Sequence, residues 1–191
     1  TVGEQKAVGI CGSGILSVVA EMRTNQIIDQ RGVFQKNHPL VKDTPKKLVL
    51  VPASPEEHQQ AVQVTHIDVH EIQLAKAAIR CGLELLCEHN GILPEQIDSI
   101  LIAGAFGSHL DTNSAVEIGM FPDVDLSRYH AIGNAAGIGA REMLINQGQR
   151  KFVEDLAGQI STLELNTHPL FNDMYVKALY LERNANLDAI L

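Results

Sequence analysis

The stretch ILIAGAFGSHLDTNSA, residues 100–115, constrains the fold more than any other part of the chain. Its apolar residues fall on consecutive positions, which predicts a strand buried on both faces, as a central strand between helices would be. The run ends in a glycine-bearing corner, and a polar stretch follows at once. Asp111 stands there where it would cap a helix over Thr112 to Ile118. A second step of the same kind is written in YHAIGNAAGIGAREMLIN, residues 129–146: a strand, a small-residue turn and a helix through Asn146. Strand and helix alternating in this way predict an α/β layered architecture.

The longest helix is predicted from about Val69 to Asn90, with Asp68 and Glu71 as a capping box and Gly91 as a left-handed C-cap. Ile72, Ala75, Ile79, Leu83 and Leu86 recur at steps of three and four, so this stripe is expected to meet the core. Upstream, GICGSGILSVVAEMRTNQIID reads as a glycine-rich turn and then a helix, with Ser13 or Gly14 near its start and Gly32 closing the segment. Residues 35–45 are polar and irregular. KLVLVPA and AVQVTHI follow as two strands paired around the charged turn SPEEHQQ, so 35–67 is expected to be a loop and hairpin insertion. Downstream, LPEQIDS makes a short helical turn, RKFVEDLAGQI an amphipathic helix, STLELN a strand and PLFNDMYVKAL a late helix.

Composition narrows the class. With 191 residues, 45% hydrophobic and 20% charged, the chain suits one globular domain or two small lobes. A net charge of −8 with scattered Lys and Arg argues against a nucleic-acid partner. No apolar run approaches the roughly 20 residues that cross a bilayer, so no membrane role is expected, and the start does not look like a secretory signal. Cys11, Cys81 and Cys87 cannot all pair and none lies in a CxxC, which favours a reducing cytoplasm. The chain opens on Thr1 rather than Met, as a processed or truncated piece of a longer protein would.

Any chemistry is expected in three glycine-rich corners, GICGSG, AGAFGSH and GNAAGIGA. Without a Cβ, glycine lets a ligand approach backbone N–H groups, and a helix starting there turns its positive end toward anions. Each corner alone reads first as a tight strand-to-helix turn and second as a ligand site; three together shift the balance toward a nucleotide cleft. Neither GxGxxG after a strand nor GxxxxGK[ST] is present. The remaining candidates read more simply as structure. Cys11 is read as a small buried residue before a redox thiol, Cys81 and Cys87 as packing, and Asp111 as a cap before a ribose contact. His66 and His70 lack a third ligand, His109 reads as a loop histidine, and Glu56, Glu57 and His58 form a solvated turn. No metal ligands and no catalytic residues are assigned.

Taken in order, AVGICGSGIL, DVHEIQLAKAAIRCGLELL, ILIAGAFGSHLDTNSAVEIGMFP and AIGNAAGIGAREML resemble the C-terminal ATPase-like domain of the reductive activators of corrinoid proteins. The resemblance spans most of residues 7–147 and fades over 35–62 and the final segment. It implies the ribonuclease H-like, actin-like ATPase fold shared by acetate and sugar kinases, heat-shock chaperones and actin, of which residues 1–191 would be the C-terminal portion, a layered sheet with flanking helices. It also implies that Gly104, Ala105, Phe106 and Gly107 form the adenosine motif. Gly133, Asn134 and Gly137 would then turn into the second connecting helix at the interdomain hinge. Gly12, Ser13 and Gly14 would open a helix lining the same cleft, Ser13 serving as a helix cap before it serves as a ligand donor.

In that family ATP hydrolysis drives an electron onto Co(II) corrinoid to restore Co(I). The resemblance therefore implies ATP and Mg in the parent protein, a two-iron ferredoxin cluster in an upstream domain, and a corrinoid iron-sulfur or corrinoid methyltransferase protein as partner. It leaves open whether the protein forms a homodimer. The aspartate-bearing phosphate loops and the ferredoxin cysteines of the family have no match in these residues, so the piece alone is not expected to hydrolyse ATP. Two competing readings are a small-molecule kinase of the same superfamily and a non-catalytic module that docks the corrinoid protein.

Overall fold

Helix α1, Gly12–Thr24, starts at Cys11, whose extended backbone and Sγ, accepting from the Gly14 N–H, make it the N-cap. The computed structural model to which this helix belongs describes residues 5–43, 45–107 and 109–183. Cys11 therefore takes the capping place expected of Ser13, whose hydroxyl lies 3.5 Å from the Cys11 sulfur inside the first turn. Cys11 is also exposed rather than buried, because its cap position stands proud of the helix. Leu16, Val19, Ala20 and Met22 form the buried side of α1.

After a tight turn at residues 28–34, an antiparallel sheet β1–β2–β3 follows, with strands Val41–Asp43, Lys46–Val51 and Val62–Thr65. The expected hairpin is β2–β3, with Leu48 opposite Val64; β1 adds a third strand in a segment whose polarity had concealed it. Val41, Leu48 and Val64 turn inward and join the α1 core.

Helix α2 runs His66–His89, three residues earlier than the sequence pattern placed it. The capping box is Thr65 with Asp68, not Asp68 with Glu71. The Thr65 hydroxyl accepts from the Asp68 N–H and the Asp68 carboxylate accepts from the Thr65 N–H at 2.7 Å. Gly91 takes the left-handed φ of +65° expected after the helix. The buried face is also displaced from the expected stripe. Ile79 and Leu86 are 43% and 52% exposed, while Val69, Gln73, Lys76, Ala77, Arg80, Cys81, Glu84 and Leu85 face inward. Four of those eight are polar, which a hydrophobicity pattern alone reads as the outer face.

Strand β4, Ile100–Ala103, pairs in parallel with β5, Tyr129–Gly133. Burial on both faces of β4 is not observed. Ile100 and Ile102 are half-buried, Ile102 against the main core, whereas Leu101 is 60% exposed. The reason is that β4 has one hydrogen-bonded neighbour in a two-stranded sheet, and its outer face has no cover among the described residues. Between the strands come a single helical turn, α3 (Gly104–Gly107), and α4 (Thr112–Glu117), which packs on α1. Asp111 caps α4 as expected, accepting from the Ser114 N–H at 3.0 Å.

Asn134 caps α5, Ala135–Ile145, and Asn146 caps α6, Gln147–Ala157. The two helices pack on each other, with Leu144 77% and Phe152 61% exposed. STLELN is an extended strap ending in a 3-10 turn rather than a strand, since Leu163 and Leu165 pack individually against Cys81, Leu85 and Met174 and find no strand partner. Helix α7, Phe171–Ala178, closes the chain over α2.

Beyond α7 the chain is held by its backbone. The Leu179 carbonyl accepts from Gln73 Nε2 at 2.9 Å, the Tyr180 carbonyl from Lys76 Nζ, and the Leu181 carbonyl from Arg23 Nε at 2.8 Å. The Leu181 N–H donates to the Gln30 carbonyl at 2.7 Å, and its side chain is fully buried.

Candidate functional site

Parallel pairing decides where two of the glycine corners lie. Ala103 is opposite Gly133 in the β4–β5 register, so the turn at Gly104–Gly107 and the turn at Gly133–Gly137 leave the carboxyl ends of adjacent strands side by side. Ligands of open α/β sheets sit at that edge. The first corner borders a cavity of its own. Gly9, Ile10 and Ile15 line a cavity of about 440 Å³ with Val62, Asp68 and Ile72, toward β3 and the start of α2.

The glycines divide by what surrounds them. Gly104 and Gly133 adopt φ of +93° and +62°, and a Cβ at either would meet nothing within 4 Å among the described residues. They combine a backbone conformation that side chains resist with open space above it. Gly107 is filled instead: a Cβ would lie 2.5 Å from Ile102 Cγ2 and 3.0 Å from the Ile102 carbonyl. Gly137 is filled by the Asn134 cap, whose Oδ1 accepts from the Gly137 N–H at 2.9 Å. A Cβ on Gly14 would sit 3.2 Å from Cys11 Sγ. Gly107 and Gly137 thus shape their turns, while Gly104 and Gly133 have room on their Cβ side. The side chains of Ala105 and Phe106, both expected at the adenosine motif, lie outside the described residues. Substituting Gly107→Ala is expected to lower stability by about 1–3 kcal/mol through overpacking against Ile102, read as a shift in the urea midpoint.

The two strands are anchored to the core at their amino-terminal ends, opposite the glycine edge. Tyr129, at the start of β5, stacks on Phe121 with centroids 5.6 Å apart, and its hydroxyl donates to the Pro122 carbonyl. Burial pushes the Tyr129 phenol up to about 12. The Phe121 carbonyl accepts from Arg80 Nη1 at 2.9 Å, tying the β5 end to α2. Arg128 donates to the Glu95 and Ile97 carbonyls at 2.7 and 2.8 Å, which fixes the approach to β4. No motif in the sequence announces these anchors.

Asp111 Oδ2 accepts from the Ser114 N–H and hydroxyl, so the carboxylate serves the helix start as expected. The Cys11 thiol is held below its ordinary value by the Ser13 hydroxyl and then the Gly14 N–H. Cys81 is raised to about 11 by burial, with Glu84 adding to it, as suits a packing residue. Among the described residues no three His, Cys, Asp or Glu side chains converge as metal ligands, and no helix is long and apolar enough to cross a membrane.

Parallel strands leading into glycine turns and helices, with this order of elements, define the chain as part of an actin-like ATPase domain. Residues 1–189 match the profile of the C-terminal domain of RACo, the ASKHA domain, and the chain belongs to that family. Corrinoid activation enzyme RamQ of Eubacterium limosum is 32% identical over 186 residues, covering 92% of this chain and 31% of RamQ. A [Co(II) methylated amine-specific corrinoid protein] reductase of Methanosarcina barkeri is 27% identical over 173 residues, covering 90% of this chain and 29% of the reductase. A solved reductive activator for corrinoid, iron-sulfur protein superposes with a TM-score of 0.85 at 29% identity, over 100% of this chain and 31% of that one. The chain thus spans about three-tenths of the length of the relatives it matches.

Proposed function

We propose that this chain supplies the adenosine side of the nucleotide cleft in an ATP-dependent iron-sulfur protein that reduces the Co(II) of a corrinoid methyltransferase system to Co(I). The observation that carries this is the pair of open glycine turns, Gly104 and Gly133, set side by side by the Ala103–Gly133 register. The parent protein binds ATP with Mg and carries a two-iron cluster in another domain. That cluster would supply the single electron that converts Co(II) to the nucleophilic Co(I) state.

The residues present suit that assignment in part. The open Cβ side of Gly104 and Gly133 admits a flat, neutral group such as adenosine, whose recognition by van der Waals contact requires no charge. The edge offers no cluster of carboxylates for Mg among the described residues, so phosphate and metal chemistry is assigned to the rest of the parent protein. Gly133 and Gly137 then serve as the turn into α5 at the hinge, Asn134 fixing that helix start. Gly12, Ser13 and Gly14 border the cleft only if the complete domain brings α1 to it. The corrinoid protein is the proposed macromolecular partner, and the cytoplasm the proposed compartment.

Titration of the full-length protein with ATP is expected to shift the amide resonances of residues 104–107 and 133–134. Gly104→Val should weaken ATP binding at least tenfold while lowering stability by only about 1–2 kcal/mol, the strain of a left-handed non-glycine residue. Unmoved resonances in both turns on ATP saturation would overturn the assignment.

A further inference from the structure

A second site lies where the 28–34 turn, α2 and the end of α7 meet. Arg31, His70 and Gln73 line a cavity of about 260 Å³ there together with Val176, Leu179 and Tyr180. Its frame is fixed from three directions. Asp29 Oδ1 accepts from the Arg31 and Val33 N–H groups at 2.9 Å each, which closes the turn. Gly32, at φ +75°, presses so near α2 that a Cβ would stand 2.7 Å from Gln73 Oε1 and 3.0 Å from Val69 Cγ1. The Gln73 amide holds the Leu179 carbonyl, and the Leu181 N–H holds the Gln30 carbonyl. Turn, helix and tail are thereby locked around the opening.

The charge of this site runs against the rest of the molecule. The chain carries −8 overall, yet the lining holds a guanidinium and an imidazole and no carboxylate. Neither the Arg31 guanidinium nor the His70 ring has a hydrogen-bond or ion-pair partner among the described residues. Of the other lining groups, Gln73 is already engaged by the tail, Val176 and Leu179 are apolar, and Tyr180 adds a phenol ring. An unpaired guanidinium beside apolar walls fits a carboxylate joined to a small apolar body: the carboxylate takes the fork of Arg31, and the body lies against Val176, Leu179 and the Tyr180 ring. The cavity is smaller than the roughly 300 Å³ at which drug-sized sites begin, which limits the occupant to about ten non-hydrogen atoms.

We propose that this junction binds a small organic monocarboxylate of aromatic or branched aliphatic type. The site is separate from the glycine edge and does not depend on the function assigned there. Phenylacetate is a suitable probe and phenylacetamide its neutral counterpart. In saturation-transfer NMR on the full-length protein, phenylacetate should bind saturably with a dissociation constant on the order of 1 mM. Phenylacetamide should bind about tenfold more weakly, as loss of one charge-assisted pair implies. Arg31→Gln removes the cation from an exposed side chain without a partner, and Val176→Trp fills the cavity from an exposed helix position; each should weaken phenylacetate about tenfold or more. Saturable binding that both variants leave unchanged, equal binding of the amide, or no saturable binding of phenylacetate would each overturn the proposal.

Discussion

Arg80→Met should be among the most destabilising single substitutions in the chain, lowering the unfolding free energy by about 3–5 kcal/mol. Arg80 and Glu84 lie one turn apart on α2, with side chains only 8% and 7% exposed. Arg80 Nε and Nη2 both donate to Glu84 Oε1 at 2.6 Å, and Nη1 donates to the Phe121 carbonyl. Removing the guanidinium leaves a buried carboxylate without its counter-charge and a carbonyl without its donor. That asymmetry, rather than the net worth of the pair, sets the size of the effect. Arg80→Met combined with Glu84→Met should regain a good part of the loss, because neither member of the pair is then left buried without the other. Urea unfolding of both variants measures this; equal destabilisation of the single and double variants would contradict it. Since Phe121 stacks on Tyr129, loss of Arg80 should also loosen the start of β5, visible as faster amide exchange at residues 129–131.

Stability should rise as pH increases from about 7 toward 9, and Lys76→Met should abolish most of that rise. Lys76 is fully buried, and burial, reinforced by Arg80 and opposed by Glu182, lowers its amine from 10.5 to about 7. Between those values the unfolded chain holds the proton and the folded chain does not. Unfolding therefore takes up a proton, and stability grows by up to about 1.4 kcal/mol for each pH unit. Over the whole interval the difference is on the order of 5 kcal/mol. Below pH 7 both states hold the proton and the dependence on this group vanishes. Above pH 9 Cys81 and Tyr129 act in the opposite sense, since burial raises the former to about 11 and the latter to about 12, and the unfolded chain releases those protons first. The wild-type profile should accordingly climb and then level off. Parallel profiles for wild type and Lys76→Met between pH 7 and 9 would remove Lys76 as the cause.

These two residues also mark where the sequence stops being readable. Elements built on local signals were legible: the β2–β3 hairpin, β4 and β5, the Asp111 cap, the Gly91 stop and the helices after Gly133. The inner face of α2 was not. Its row of Gln73, Lys76, Arg80 and Glu84 has the pattern of a solvated side, and what draws it inward is a set of backbone carbonyls at 121, 179 and 180, far away in sequence. The Ile72–Leu86 stripe was a convincing core by spacing alone, yet Ile79 and Leu86 point outward. β4 misled for the converse reason: its composition suits cover on both faces, and the described residues cover one. At the candidate site, the glycine corners were visible as motifs. Their adjacency required the strand register, and the division into open and filled glycines required the positions of Ile102 and Asn134.

The tail after α7 is recognised through its peptide groups: three successive carbonyls and one N–H are read by Gln73, Lys76, Arg23 and the Gln30 backbone. Such recognition is indifferent to side-chain identity at all but the buried Leu181, so apart from the cavity walls at Leu179 and Tyr180 this stretch is free to drift in composition over evolutionary time while its path stays put. The burden of preservation passes instead to the readers on α1 and α2, and a proline at 181 would be the substitution the arrangement tolerates least, since it would delete the one amide the clasp uses.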